Sequence, residues 1–121
     1  MILLDTNILI EILKNDLFTI QRLKGIEDEL TISSISVMEL YYGAINKNEL
    51  KKLEKFVHLF KIIHISEDIS LKSMQLINKY AKSHSLDIPD ALIASTAISN
   101  NCKLFTYNLK DFRFIDELIL F

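Results

Sequence analysis

The first four residues, Met1-Ile2-Leu3-Leu4, are apolar without a break and stop at Asp5. A strand covered on one face alternates in polarity, whereas one covered on both faces, as in a parallel sheet, runs apolar throughout. The opening run therefore predicts a buried strand. A short helix is expected from Thr6 or Asn7, burying Ile8 and Ile12 and ending before Lys14-Asn15-Asp16. Leu17 to Lys24 reads as a second helix stopped by Gly25, and Leu30-Thr31-Ile32 as a short strand. Ser36-Val-Met-Glu39 has the form of a capping box, which predicts a helix carrying Leu40, Tyr41 and Tyr42 up to Gly43.

Leu50, Leu53, Phe56, Val57 and Phe60 then recur at three- and four-residue steps among charged positions, so an amphipathic helix is predicted over 48–60. Ile62 to Ile65 is the next strand, and Asp68 to His84 a long helix with Leu71, Met74, Leu76, Ile77 and Tyr80 on one stripe. Pro89 suits the first turn of the following helix, where its missing N–H is not needed. From Ala91 to Ile98 that helix is nearly all apolar, which makes it central and buried. Lys103 to Thr106 is a strand, Asn108 to Phe112 a turn or single helical turn, and Leu118 to Phe121 a last strand. Strands alternating with helices give an α/β fold with a mostly parallel sheet and helices on both faces. In such sheets ligands bind beyond the carboxyl ends of the strands, so the residues just after each strand carry the chemistry.

Composition narrows the class. The chain has 121 residues, half of them apolar, which suits one domain over residues 1–121 with a core that needs no disulfide or metal staple. Only two glycines and one proline argue against a sandwich built from many tight turns. The single cysteine, Cys102, can form neither an internal disulfide nor a cysteine zinc site, and fits a reducing compartment. The longest stretch free of Asp, Glu, Lys and Arg runs from Ala91 to Cys102, short of the roughly 18 residues a spanning helix needs. With no basic leader either, the expectation is a soluble cytoplasmic protein. A net charge of −2 does not attract a polyanion, so nucleic-acid binding requires a local patch. Lys47, Lys51, Lys52, Lys55 and Lys61 form the most basic stretch, and read as a solvated helix face with a phosphate-gripping role as the alternative.

The acids fall where the sheet rule points. Asp5 follows the first strand, Glu39 lies in the helix after the second, Asp90 opens the buried helix, and Asp111 follows the strand ending at Thr106. Four carboxylates from distant segments can thus converge at one sheet edge, where mutual repulsion calls for a cation, and all-oxygen sites suit Mg²⁺ or Mn²⁺. Each acid also has a structural reading. Asp5 can cap the first helix, Glu39 can close the Ser36 capping box, Asp90 suits a helix dipole, Asp87 reads as a cap, and Asp111 fits a surface turn. His58, His64 and His84 have no partner at ligand spacing and read as structural, as does Cys102. Tyr41 and Tyr42 are expected to be buried, with the substrate groove as the alternative.

Four segments together carry a resemblance. Met1-Ile-Leu-Leu-Asp5-Thr-Asn7, Ser34-Ile-Ser-Val-Met-Glu39-Leu-Tyr-Tyr-Gly43, Asp87-Ile-Pro-Asp90-Ala-Leu-Ile-Ala-Ser-Thr-Ala97 and Thr106-Tyr-Asn108-Leu-Lys-Asp111-Phe112 resemble, in order, the signature segments of PIN-domain ribonucleases, especially VapC-type toxins of toxin–antitoxin pairs. The resemblance implies a PIN-like three-layer α/β/α domain with a short, mostly parallel central sheet. It implies a metal-dependent endoribonuclease in which Asp5, Glu39 and Asp90 hold Mg²⁺ or Mn²⁺, with Thr6 and Asn7 supporting them. Many such domains carry an Asp two residues after the Thr of the last segment, where this chain has Asn108. Asp111 is favoured to complete the site, because a carboxylate both binds metal and accepts a proton, with Asn108 orienting water or ligand. An RNA substrate, a cognate antitoxin that covers the acidic cleft with an Arg, and a homodimer formed through the apolar helices near the N-terminus are the implied partners. The alternative is a PIN-like RNA-binding or assembly module without catalysis. A phospho-accepting receiver is disfavoured because no Asp lies between Asp28 and Asp68, and a haloacid-dehalogenase-like phosphatase because position 7 is Asn.

Overall fold

In the computed structural model, which describes residues 1–121, three-residue strand β1 (Ile2–Leu4) has both faces covered, and all three of its side chains are buried. Ile2 and Leu4 point into one apolar cluster and Leu3 into the other, as the two-residue period of a strand requires. The chain continues through α1 (Thr6–Leu13), α2 (Leu17–Lys24), β2 (Leu30–Ser33), α3 (Ser34–Tyr42), α4 (Lys47–Val57) and β3 (Lys61–Ile63). It then forms α5 (Glu67–His84), α6 (Ile88–Ser99), β4 (Lys103–Phe105) and a 3-10 turn over Leu109–Asp111.

The four strands pair in the order β3-β2-β1-β4, all parallel. Cluster membership separates the layers. Ile8, Leu9, Leu40, Leu53 and Val57 from α1, α3 and α4 join Ile2, Leu4, Ile32 and Phe105 on one face. Leu76, Tyr80, Ala91, Ala94 and Ala97 from α5 and α6 join Leu3 and Leu104 on the other, sealed by Phe112, Ile115 and Leu118. This is the three-layer α/β/α arrangement expected from the alternation. From β1 the chain builds outward to β2 and β3, then crosses under the sheet to place β4 on the opposite side of β1. The strand order therefore reverses beside β1, which is where a doubly wound sheet opens a crevice.

Differences from the sequence reading are local. Helix α3 begins at Ser34, with Ser33 Oγ accepting from the Ile35 N–H at 3.1 Å, so the cap is Ser33 and not Ser36. Ser36 is buried inside the helix instead. Helix α4 stops at Val57 because the Leu59 and Phe60 N–H groups bond back to Phe56 and Val57 in tight turns, and β3 accordingly starts at Lys61. The expected last strand is a single parallel bridge from Leu120 to Leu104, and the chain ends with Phe121 beneath the Arg22 guanidinium, 5.3 Å from the ring centre.

Candidate active site

Asp5 sits where β1 ends. It is 5% exposed and caps α1, its Oδ1 accepting from the Thr6 N–H at 2.8 Å. Its Oδ2 accepts from the Thr106 hydroxyl at 2.8 Å and from Asn7 Nδ2 at 3.2 Å. The capping and site readings of this residue are therefore compatible: one carboxylate ends a strand, starts a helix and faces the crevice. The Thr6 hydroxyl lies 2.7 Å from Glu39 Oε1 and 2.9 Å from Ser36 Oγ, which ties α1 to α3. Since Ser36 does not cap α3, Glu39 is free of the capping box and turns toward Thr6. Asp87 caps α6, accepting from the Asp90 N–H at 3.0 Å, and leaves Asp90 half-buried in the first turn.

Asp5, Thr6, Asn7, Ile10, Glu39, Asp90 and Asn108 line one cavity of about 240 Å³. Six of these seven were singled out by the sequence. Asp111, expected to complete the site, does not line this cavity; it is exposed in the 3-10 turn, and the position facing the cavity is Asn108. Asp111 lies in the 3-10 turn Leu109–Asp111 that follows β4. Asp111 still acts on the site through its charge, helping to hold the Asp5 and Asp90 carboxyls above their ordinary range.

No Lys, Arg or His side chain lines this cavity. Burial and then the charge of Asp87, followed by those of Asp5, Asp111 and Glu39, push the Asp90 carboxyl up to about 7. Burial likewise raises Asp5, opposed by the hydrogen bonds from Thr106 and Thr6. No three His, Cys, Asp or Glu side chains stand close enough together to close around an ion by themselves. That does not conflict with Mg²⁺, which keeps several of its waters and is held by one or two carboxylates rather than an all-protein cage. The donor set is entirely oxygen, as Mg²⁺ and Mn²⁺ require.

The family model described as PIN domain matches residues 2–118. The chain belongs to the PIN domain family. Among PIN relatives, "Ribonuclease VapC1" of Methanocaldococcus jannaschii is 34% identical over 117 residues, covering 96% of this chain and 82% of that one. Among solved structures, VapBC2 from Rickettsia felis bound to a DNA fragment from its promoter superposes with a TM-score of 0.85 at 34% identity, covering 100% of this chain and 98% of the other. A toxin–antitoxin complex from Klebsiella pneumoniae superposes at 0.83 with 33% identity, covering 98% of this chain and 96% of the other.

Several residues that shape this PIN site escaped the sequence reading. Thr106 fixes Asp5 and also accepts from the Asn108 N–H at 3.0 Å, so it anchors two site positions at once. Its signal was its place directly after β4, at the head of the last signature segment, where the sequence reading assigned it no role. The Tyr107 N–H donates to Asn7 Oδ1 at 3.2 Å, while its hydroxyl lies 2.6 Å from that of fully buried Thr19, which Asp16 holds at 2.7 Å. This tie between α2 and the segment after β4 links residues 88 positions apart and leaves no local pattern. The remaining candidates settle into structural places. His58 closes α4 against the Glu54 carbonyl at 2.6 Å, His84 stacks on Phe114 with ring centres 4.4 Å apart, and Cys102 is buried. Tyr41 is half-buried as expected, but Tyr42, expected inside, is 95% exposed because α3 turns it away from both clusters.

Proposed function

We propose that this PIN chain is an endoribonuclease that hydrolyses RNA phosphodiester bonds with Mg²⁺ or Mn²⁺, acting in the cytoplasm as the toxin of a type II toxin–antitoxin pair. One observation carries the reading: acids from the ends of separate strands and helices face one cavity with no cationic side chain to neutralise them. Similarity to relatives named as VapC ribonucleases, and to solved toxin–antitoxin complexes, supports the choice of substrate and partner.

Asp5, Glu39 and Asp90 would hold the ion, with Asn108 orienting water or phosphate and Asp111 adding negative charge from outside the cavity. When bound, the ion supplies a Lewis acid at the phosphoryl oxygens and lowers the pKa of the attacking water. The chain's own contribution is rigidity. Three hydrogen bonds hold Asp5, and the Thr6 hydroxyl holds Glu39, so these carboxylates are set in place before substrate arrives. Asp90 titrates near neutral pH while no cation faces it, so it can take up a proton at the cleft. An antitoxin that presents an Arg to the cleft would satisfy the same carboxylates by a charge-assisted, two-pronged pairing. The homodimer expected from the sequence has an apolar surface available in Leu17 and Phe18, which are exposed on α2.

The test compares wild type with Asp90→Asn on a structured RNA pool in Mg²⁺, in Mn²⁺ and in EDTA. Cleavage that needs the metal and vanishes in the folded variant is the expected result. Folded wild type that binds RNA and never cuts it would replace the nuclease with a binding or assembly module.

A further inference from the structure

A second and larger cavity, of about 420 Å³, lies between α1, α3 and α4 and shares Thr6, Ile10 and Glu39 with the acidic one. The two therefore adjoin, with Thr6, Ile10 and Glu39 as their common wall. Their linings differ in kind. The acidic cavity is lined by carboxylates, amides and a hydroxyl with no cationic group, whereas the second combines apolar walls from Ile10, Leu13 and Leu53 with the ammonium groups of Lys14 and Lys52 and the carboxylate of Glu49. Ile10 and Leu13 are 39% and 41% exposed, so they keep apolar surface open at the cavity rather than spending it in the core. Of the five lysines in the basic stretch, only Lys52 lines this cavity, and it makes no ion pair; Lys14 leans loosely on Glu11 at 3.8 Å. Glu49 is half-buried, yet its carboxylate takes part in no salt bridge and accepts no hydrogen bond from any side chain.

We infer that this cavity seats one nucleotide of single-stranded RNA beside the scissile phosphate, a guanosine by preference, with Glu49 reading the base and Lys52 and Lys14 holding its phosphate. The inference rests on the ribonuclease reading above. An unpaired base has two flat apolar faces, which suit the Ile10, Leu13 and Leu53 walls, and single-stranded RNA is recognised by splaying such bases into pockets. The volume falls within the range of about 300–1,000 Å³ typical of small-ligand sites. A carboxylate only accepts hydrogen bonds, and its two oxygens match two N–H donors side by side. Among the four RNA bases, guanine alone presents that pair, N1–H and N2–H, on its Watson–Crick edge. Lys52, without a carboxylate partner, is the cation available to a backbone phosphate that the acidic cavity next door repels.

The experiment uses two defined 12-nucleotide single-stranded RNAs, identical except that one carries inosine for guanosine, which removes only the N2 amino group, together with a randomised single-stranded pool. Wild type, Glu49→Gln, Lys52→Gln, Lys52→Arg and, as a control on α5, Lys79→Gln are compared with Mg²⁺ by sequencing the cut ends, and in EDTA by fluorescence anisotropy. Wild type is expected to enrich guanosine at one position within two nucleotides of the cut and to lose about tenfold in kcat/KM on inosine, the scale of one hydrogen bond to a charged acceptor. Glu49→Gln should flatten that preference. Lys52→Gln should raise KM several-fold at unchanged kcat and weaken the salt dependence, with recovery in Lys52→Arg, while Lys79→Gln matches wild type. In EDTA nothing is cut, and the guanosine-over-inosine preference in binding reports on the cavity by itself. Selective binding without cleavage in Mg²⁺ would remove the ribonuclease reading and keep the nucleotide pocket. Cleavage or binding with no guanosine preference, or a preference that survives Glu49→Gln, overturns the pocket. Unchanged RNA behaviour in all the Glu49 and Lys52 variants also overturns it, and gives the cavity to another occupant such as a segment of the antitoxin.

Discussion

Replacing Asp90 by Asn should make the metal-free protein more stable at pH 8. In the folded chain the Asp90 carboxyl is pushed up to about 7 from an ordinary value of 3.8, by burial and by the surrounding acids. The folded state therefore holds this proton more tightly than the unfolded state, and unfolding releases it between pH 3.8 and about 7. Across that window stability falls as pH rises, and above it the whole penalty is present. A pKa unit corresponds to about 1.4 kcal/mol, so the full displacement is worth about 4 kcal/mol, reduced to about 2 kcal/mol by solvent screening at a half-buried position. Asn keeps the shape and removes the charge, losing only about 0.5 kcal/mol of favourable interaction with the start of α6. For a chain of this size the net gain is an upward Tm shift of about 5 °C at pH 8, shrinking toward zero at pH 4. Thermal unfolding followed by circular dichroism in EDTA at the two pH values measures it. Saturating Mg²⁺ at pH 8 should narrow the gap by stabilising wild type more than the variant. A variant less stable than wild type at pH 8 in EDTA would refute the reasoning, because Asp90 would then be held in a favourable, already compensated setting.

Other substitutions probe the supports of the site. Thr106→Val removes the hydroxyl that bonds Asp5 and accepts from the Asn108 N–H, and should cost about 1–3 kcal/mol, more at pH 8 than at pH 4 because the bond favours the charged carboxylate; denaturant titration at both pH values checks this. Ser33→Ala should cost about 1 kcal/mol by uncapping α3, whereas no capping loss is expected at Ser36, whose hydroxyl pairs instead with that of Thr6; comparing the two by urea denaturation separates the assignments. Tyr107→Phe breaks the tie to Thr19, and should speed amide exchange over 106–111 and lower kcat with KM nearly unchanged. Leu104→Ala, which empties a fully buried position beneath α6, should cost about 2–5 kcal/mol in the same denaturation assay.

The layers of the fold were legible because their causes are local. The unbroken run before Asp5, the three- and four-residue steps of α4 and the apolar surface of α6 each report what covers them. Element ends were less legible. Ser36 and Glu39 have capping-box spacing, but Ser33 ends β2 and reaches Ile35 first, so the helix starts three residues before the motif suggests. That shift has chemical meaning, since it frees Glu39 for Thr6. The convergence of the candidate acids was legible from their places after strand ends, and Asp5, Glu39 and Asp90 do line one cavity. Asn108 lines the cavity while Asp111, in the 3-10 turn, bears on Asp5 and Asp90 through its charge, and side-chain spacing alone does not separate these two placements. The ties of Thr106 to Asp5, Tyr107 to Asn7 and Tyr107 to Thr19 were invisible because these partners lie 88 to 101 positions apart.

One of those ties has a consequence for how such a chain is made. The Asp5–Thr106 hydrogen bond spans 101 positions, and β1 lies between β2 and the late strand β4. A ribosome adds about 5–20 residues per second, so Asp5 waits several seconds or more for the strand that completes its surroundings. During that interval the nascent polypeptide holds its first acid but lacks Asp90, Thr106 and Asn108, and β1 has an unpaired edge. The emerging chain therefore carries Asp5 without its Thr106 partner, and the hydrogen bonds that set the Asp5 carboxylate are complete only once the segment after β4 has been made.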